Sequence, residues 1–366
     1  MPECLHHQIC GLTAEADPAA RLCILHSRQV NKDPEAFDKA LSLHRKTRGN
    51  RFTSMVFPTR ADFTNTKFST HTDFSSTTFA GHVDFNVATF AAEAVFSNAT
   101  FAAQAYFVGT TFAAEARFIA ATFAAQPFFG STTFAAEADF SITTFAAGAL
   151  FQETRFSAHR VSFRLSRFSG LTLFSQAQAV EAHQGIRIFS AATEEVDFRD
   201  LVIEPPEGLS FRHADFQNCR FLNTDLRKVE LTGVLWPQKG TRRVVYDEIS
   251  PVPGEAYPWD ELERLYRELK QNYDDHRNYA RAGDFHYGEK EMQRRNPATP
   301  WGLKVLLWLY CLVSGYGERF LRPLLCALVL LIGATVAYLC WGLAPKSSPL
   351  RHARHYGIPR HARSRE

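Results

Sequence analysis

Three of the seven cysteines in this 366-residue chain gather near its start as Cys4-x5-Cys10-x12-Cys23, and His26 follows Cys23 after two intervening residues. Thiolate and imidazole in that mixture are what zinc takes in tetrahedral structural sites, often as one pair close in sequence and a second across a loop. Cys23 and His26 supply the close pair on one turn, and Cys4 and Cys10 close the site. His6 and His7 are rival ligands, and His7 can replace either early cysteine. Free thiols holding no metal are the alternative. A segment this small buries little core, so a metal is a natural staple. Elsewhere there is no phosphate-cradling glycine loop, no HExxH, and no Ser, His and acid set in a recognised motif. No catalytic and no cofactor-binding residue is assigned. The cysteines are too few and scattered for a disulfide framework, and their odd number fits a reducing compartment.

The core that must carry such a site shows itself further along. Phenylalanine recurs every 11 residues as Phe52, Phe63, Phe74, Phe85, Phe96, Phe107, Phe118, Phe129, Phe140 and Phe151. A second series, from Phe57, Phe68 and Phe79 to Phe156, interleaves at the same interval, so the gaps alternate between 5 and 6. That alternation does not hold one helix face, because successive rings fall roughly 140° to 240° apart on a 100° wheel. Thr77-Thr78, Thr110-Thr111 and Thr143-Thr144 also disfavour helix. The residue two before each Phe is usually small (Ala94, Ala99, Ala105, Thr110, Ala116), whereas the one just before it varies from Thr100 to Tyr106, Arg117 and Asp139. A short fixed period without long apolar segments predicts a solenoid. Each Phe centres one side of a four-sided coil and stacks on its equivalent one coil later.

A small residue at i−2 and Phe or Leu at i resembles the pentapeptide-repeat family. The resemblance implies an all-β solenoid, a right-handed quadrilateral β-helix. A second run with the plain period of five, Phe211, Phe216, Phe221, Leu226, Leu231 and Trp236, strengthens it, and Cys219 is there a small interior residue. The departure is an extra residue in alternate units, as in Ala91-Ala92-Glu93-Ala94-Val95 between Phe90 and Phe96, which predicts coils of about 22 residues with a bulge at fixed corners. Cys23-Ile24-Leu25-His26 also resembles the Cys-Ile-x-His element of small Cys/His modules that begin some bacterial members of the family.

The chain then divides into a Cys/His module (1–30), a capping helix (31–50), the Phe-rich solenoid (51–176), an irregular insertion (177–197) and regular five-residue coils (198–238). A Pro-rich linker (239–258), a helical hairpin (259–296), an interfacial or re-entrant helix (300–317), a transmembrane helix (320–344) and a disordered basic tail (345–366) follow. The capping helix begins with Asn31 or Asp33 as cap and Pro34 in its first turn. It covers the open edge that a solenoid otherwise presents. The hairpin resembles those of tetratricopeptide arrays and reads as a connector or a homodimer surface. Pro323 to Leu343 is uncharged over 21 residues, close to the ~20 that cross a bilayer. No secretory signal opens the chain, so the expectation is a single-pass membrane protein whose bulk stays cytoplasmic.

A net charge of +3 does not point to nucleic acid, and the near balance of acids and bases along the repeats argues against an acidic rod that mimics DNA and binds gyrase, an activity of some family members. Gly315-Tyr316-Gly317 resembles the potassium filter tripeptide. That makes the regulatory part of a potassium-channel-like protein the alternative to the main expectation: a non-enzymatic, membrane-anchored scaffold with an unidentified protein partner.

Overall fold

The computed structural model describes residues 3–14, 16–17, 21–29, 31–175, 189, 193–319 and 321–342. The expected basic tail and the loop or short helix expected over 176–185 lie outside the described residues. Two compact units, residues 1–309 and 310–366, divide the chain.

In the first unit, strands of mostly two residues form four faces of a parallel solenoid. The first face, opened by Val56–Phe57, and the fourth, opened by Thr72–Asp73, are each seven strands long. The third, opened by Lys67–Phe68, has five, and the second starts at Ala61–Asp62. Along each face a strand pairs in parallel with the one a coil later: Val56 lies opposite Thr78 and Phe57 opposite Phe79, which makes a coil 22 residues as far as Phe156, and 23 where Ala138 meets Val161.

The rings fill the interior. Phe52, Phe74, Phe96, Phe118, Phe140, Phe163, Phe198 and Phe221 form one column with centroids 4.5 to 5.4 Å apart. Rings of adjacent columns meet edge to face, as Phe107 and Phe118 do at 5.7 Å and 86°. Both geometries are favoured by the aromatic quadrupole. The register slip after Phe156 leaves the columns intact, since Phe163 still stacks on Phe140 at 5.0 Å.

The 5/6 alternation is an alternation of corners. In the five-residue segments a tight turn closes with Met55 N–H donating to Phe52 O at 3.1 Å, and Ser54 at φ 57° takes the left-handed position of a type II turn. Asn65, Ser76, Val87, Asn98 and Gly109 repeat it. The six-residue segments up to Phe140 hold no left-handed residue, and the additional residue widens those two corners in every coil. The small residue at i−2 has a second use at several positions where it carries a hydroxyl. Thr77, Thr110, Thr132 and Thr143, all buried, donate to the carbonyls of Phe52, Phe85, Phe107 and Phe118 at 2.6–2.7 Å.

A parallel ladder has no natural end, so both ends need stand-ins for the missing coil. At the N-terminal end α1 (His7–Cys10) and α2 (Pro34–Arg48) are the helices. Asp33 caps α2 by accepting from Glu35 N–H at 3.1 Å. Phe37 of α2 meets Phe57 edge-on at 5.6 Å, and His44 Nε2 bonds the Arg51 carbonyl at 2.5 Å. Arg51 O occupies the place of Asp73 O, which accepts from Phe52 N–H one coil on at 2.7 Å. Lys32 Nζ donates to Val56 O at 2.6 Å. Pro58 stands where later coils have Ala80 and Ala102, whose N–H groups bond back to the preceding coil. With no strand there to accept, a residue lacking N–H is the fitting one.

At the other end the hairpin of α4 (Trp259–Asp275) and α5 (Tyr279–Arg295), preceded by the short α3 (Tyr246–Ile249), covers the last coil. Asn272 Nδ2 donates to both Leu226 O and Val229 O, at 2.7 and 2.8 Å. Trp236 donates to Tyr273 Oη at 2.8 Å and packs edge-on against Phe285 at 5.4 Å. The apolar face of α4, read from sequence as a connector or dimer surface, is thus buried against the rod. Residues 239–258, read as a linker, differ too. A two-strand ladder (Gln238–Lys239 with Arg242–Arg243) and α3 bury Val244, Val245, Asp247 and Glu248. Glu248 accepts from Arg242 at 2.7 Å, Lys239 at 2.9 Å and the Tyr266 hydroxyl, and Asp247 Oδ2 accepts Phe221 N–H at 2.9 Å, the bond that Arg220 O makes to Phe198 N–H one coil earlier. Likewise 177–197 is not irregular throughout, because Glu195–Asp197 already pairs with Arg160–Ser162.

The helix α6 (Trp301–Ser314) is apolar and mostly exposed. In the second unit α7 (Leu321–Trp341) has 21 residues and none buried; among the described residues it is the one helix long and apolar enough to cross a membrane. Between them Gly315, Tyr316 and Gly317 make a left-handed turn, with φ of 58°, 61° and 89° and the Tyr316 ring packed on Tyr310.

Two stability predictions follow from these bonds. Phe118→Ala is expected to cost about 3–5 kcal/mol. Thr143→Val, which leaves Phe118 O bonded to Ala121 N–H, should cost only about 0.5–1.5 kcal/mol; denaturant melts that reverse this order would contradict the packing account. Burial pushes the Asp247 carboxyl up to about 6 from 3.8, so the stability it contributes is full below pH 4 and is lost as pH rises through 6. Asp247→Asn keeps an acceptor for Phe221 N–H and should gain on the parent by about 2–3 kcal/mol above pH 7 while matching it near pH 4, as read from melting curves across that range.

Candidate metal centre

Cys4 precedes and Cys10 is the last residue of α1, a single turn in which Cys10 N–H bonds His6 O at 2.9 Å and Gly11, at φ 68°, ends the helix. Isolated antiparallel bridges, Glu3 with Thr13 and Asp17 with Leu22, fold the following loop back. A second single turn follows, with His26 N–H and Ser27 N–H bonding Cys23 O at 3.1 and 2.8 Å, and it puts Cys23 and His26 on one side.

The structure brings the four predicted side chains together: the Sγ atoms of Cys4, Cys10 and Cys23 and a ring nitrogen of His26 all lie within 4.8 Å of one another, and all four residues are buried. Cys23 Sγ is 3.7 Å from Cys10 Sγ and 3.2 Å from His26 Nδ1, and Cys4 Sγ is 3.8 Å from the same Nδ1. Tetrahedral bonds of about 2.3 Å to sulfur and 2.0 Å to nitrogen put ligand atoms about 3.5–3.8 Å apart, so this donor set could hold a metal ion without rearranging the backbone. Cys4 Sγ also receives the N–H groups of His6 and Cys23, each at 3.4 Å. His6 and His7 stand outside the cluster. His6 stacks on the His26 ring at 4.4 Å, and His7 Nδ1 pairs with Leu12 O at 3.1 Å.

The three thiols differ electrostatically. Burial raises the Cys4 thiol, and the hydrogen bond to Cys10 together with burial pushes Cys23 up to about 12, while that same bond holds Cys10 below the ordinary thiol range. Three buried thiols cannot all ionise beside one another unless a cation joins them. Cys219, by contrast, is a buried interior residue whose Sγ donates to Asp215 O at 3.4 Å. Sequence reasoning missed the group behind the ligands: Thr53 O lies 3.2 Å from His26 Nε2. A backbone carbonyl leaves no mark in sequence.

Stacked parallel faces around aromatic columns define the rod as a β-solenoid. Residues 207–234 match the family model for pentapeptide repeats (8 copies), and no curated protein and no solved structure matches the chain. Together with the solenoid, this match supports the pentapeptide-repeat family for the chain. The match falls on the second run, whose period is five; the sixth residue in alternate units carries the longer run out of step with a five-residue pattern.

Elemental analysis of the purified chain is expected to give about one metal ion per molecule, with Cys23→Ser and His26→Ala each reducing it. Full retention in both variants would remove this ligand set.

Proposed function

We propose that the protein is a non-enzymatic scaffold: a rod stapled by zinc through Cys4, Cys10, Cys23 and His26, tethered by α7 to a membrane with its bulk on the cytoplasmic side, and offering its outer faces to a protein partner. The carrying observation is where the coils differ from one another. The interior is occupied by near-identical Phe, Ala and Thr. Outside, the first face repeats Thr78, Thr100, Thr122 and Thr144, and the third repeats Thr89, Thr111 and Thr133. The second face instead runs Asp62, Asp84, Tyr106, Phe128 and Leu150, and the fourth Asp73, Val95, Arg117 and Asp139. In the middle coils, side chains able to discriminate a partner therefore sit on two opposite faces; towards the ends Lys67 and Arg155 also stand on the third and Arg167 on the first.

Charge on the fourth face is internally matched, with Arg117 pairing Glu93 at 3.0 Å and Glu115 at 2.6 Å. That pairing and the weak net charge support a protein partner over nucleic acid. The tether is supported by the length and exposure of α7. The apolar, Trp-bearing α6 suits the interface beside it.

Photo-crosslinkers placed at Tyr106, Asp139, Thr100 and Thr111 of the full chain in native membranes provide the check. One protein captured from Tyr106 or Asp139 and not from the Thr positions is the expected result. Capture from none of the four, or reproducible ion flux from the reconstituted chain, would remove the scaffold reading.

A further inference from the structure

The geometry points to a coupling between metal loading and closure of the N-terminal end of the rod, carried by the His26 ring; this rests on the metal reading above. In the coils that follow, the left-handed turn residue donates its N–H to a carbonyl one coil on: Ser54 to Ser75 O at 2.8 Å, Ser76 to Ser97 O at 2.9 Å and Asn98 to Ile119 O at 2.8 Å. Thr53 O holds the position of Ser75 O in the first coil, where no turn precedes it. His26 Nε2, 3.2 Å away, makes the bond in its place.

The other nitrogen of the same ring, Nδ1, faces Cys23 Sγ at 3.2 Å and Cys4 Sγ at 3.8 Å. A neutral imidazole carries one proton. With Nδ1 committed as a ligand, the proton sits on Nε2, and that tautomer donates to Thr53 O. Without a metal the proton can occupy Nδ1, which sets two acceptors, Nε2 and Thr53 O, against each other. The neighbouring residue adds a second tie. Leu25 O accepts Val56 N–H at 2.8 Å, the bond that Met55 O makes with Thr78 N–H one coil later at the same length. The turn that supplies two ligands thus also supplies two of the rod's end bonds, whereas α2 holds its own through Phe37 and His44 with no part in the cluster. Metal loss should therefore loosen the module and the first coil locally, leaving α2 and the later coils in place.

The test uses the full chain in detergent micelles, with zinc as the probe. Metal content and amide hydrogen exchange are measured on the same sample before chelation, after it, and after zinc is restored. Exchange at the Val56 amide is expected to rise at least tenfold on stripping and to recover with zinc, while amides from Thr100 to Thr144 stay unchanged. His26→Cys offers a second reading: a four-thiolate site keeps the metal but lacks the ring that reaches Thr53 O, so Val56 should exchange faster with metal still bound. Metal bound and removed with no change at Val56 overturns the coupling and leaves the metal reading standing. A metal-loaded His26→Cys chain with parental exchange overturns the role of the ring. Failure to bind zinc at all overturns both readings.

Discussion

One distance governs this molecule: the separation between hydrogen-bonded parallel strands, about 4.8 Å. It is also a favourable separation for stacked aromatic rings, and the Phe columns adopt it, with centroids 4.4 to 5.4 Å apart along the rod. Backbone and side chains therefore reinforce one another in every coil. Any residue that widened the gap would weaken both the ladder and the column, which is why the interior is dominated by Phe with small or β-branched residues between the rings. The Thr hydroxyls fit the same geometry, because each reaches the Phe carbonyl of the preceding coil without displacing a ring.

A structure that repeats by stacking must also be stopped, and the two ends do so with different chemistry. At the N-terminal end, carbonyls left over on the first and fourth faces receive donors from His26, His44 and Lys32, and a proline occupies the place of one surplus donor. At the other end the buried Phe221 N–H finds the Asp247 carboxylate, and two carbonyls share the Asn272 amide. In each case a side chain substitutes for one backbone group of an absent coil. Ring packing closes the core behind them, Phe37 at one end and Trp236 with Phe285 at the other.

How much of this sequence could be read follows from the same division. The coil period, the four columns and the inward small residues were legible because each position repeats under the same constraint. The Cys4, Cys10, Cys23 and His26 cluster was legible because thiols and imidazole at such spacing suit a shared cation. The ends were not. His44, Lys32 and Asp247 act on backbone atoms, whose positions no residue type announces. Residues 239–258 misled through Pro251, Pro253 and Pro258, while the buried Asp247 and Glu248 looked like ordinary surface charge until their partners from distant segments came into view. Variation in the residue before each Phe looked free along the chain; only the coil geometry sorts it onto two faces.

Because each strand is hydrogen-bonded to the equivalent strands of the adjoining coils, the rod behaves as a graduated ruler. Deleting or duplicating one 22-residue lap leaves both terminal seals untouched and alters reach by a single increment of about 5 Å. Length along the shaft is therefore adjustable in discrete steps, with no redesign of the interior.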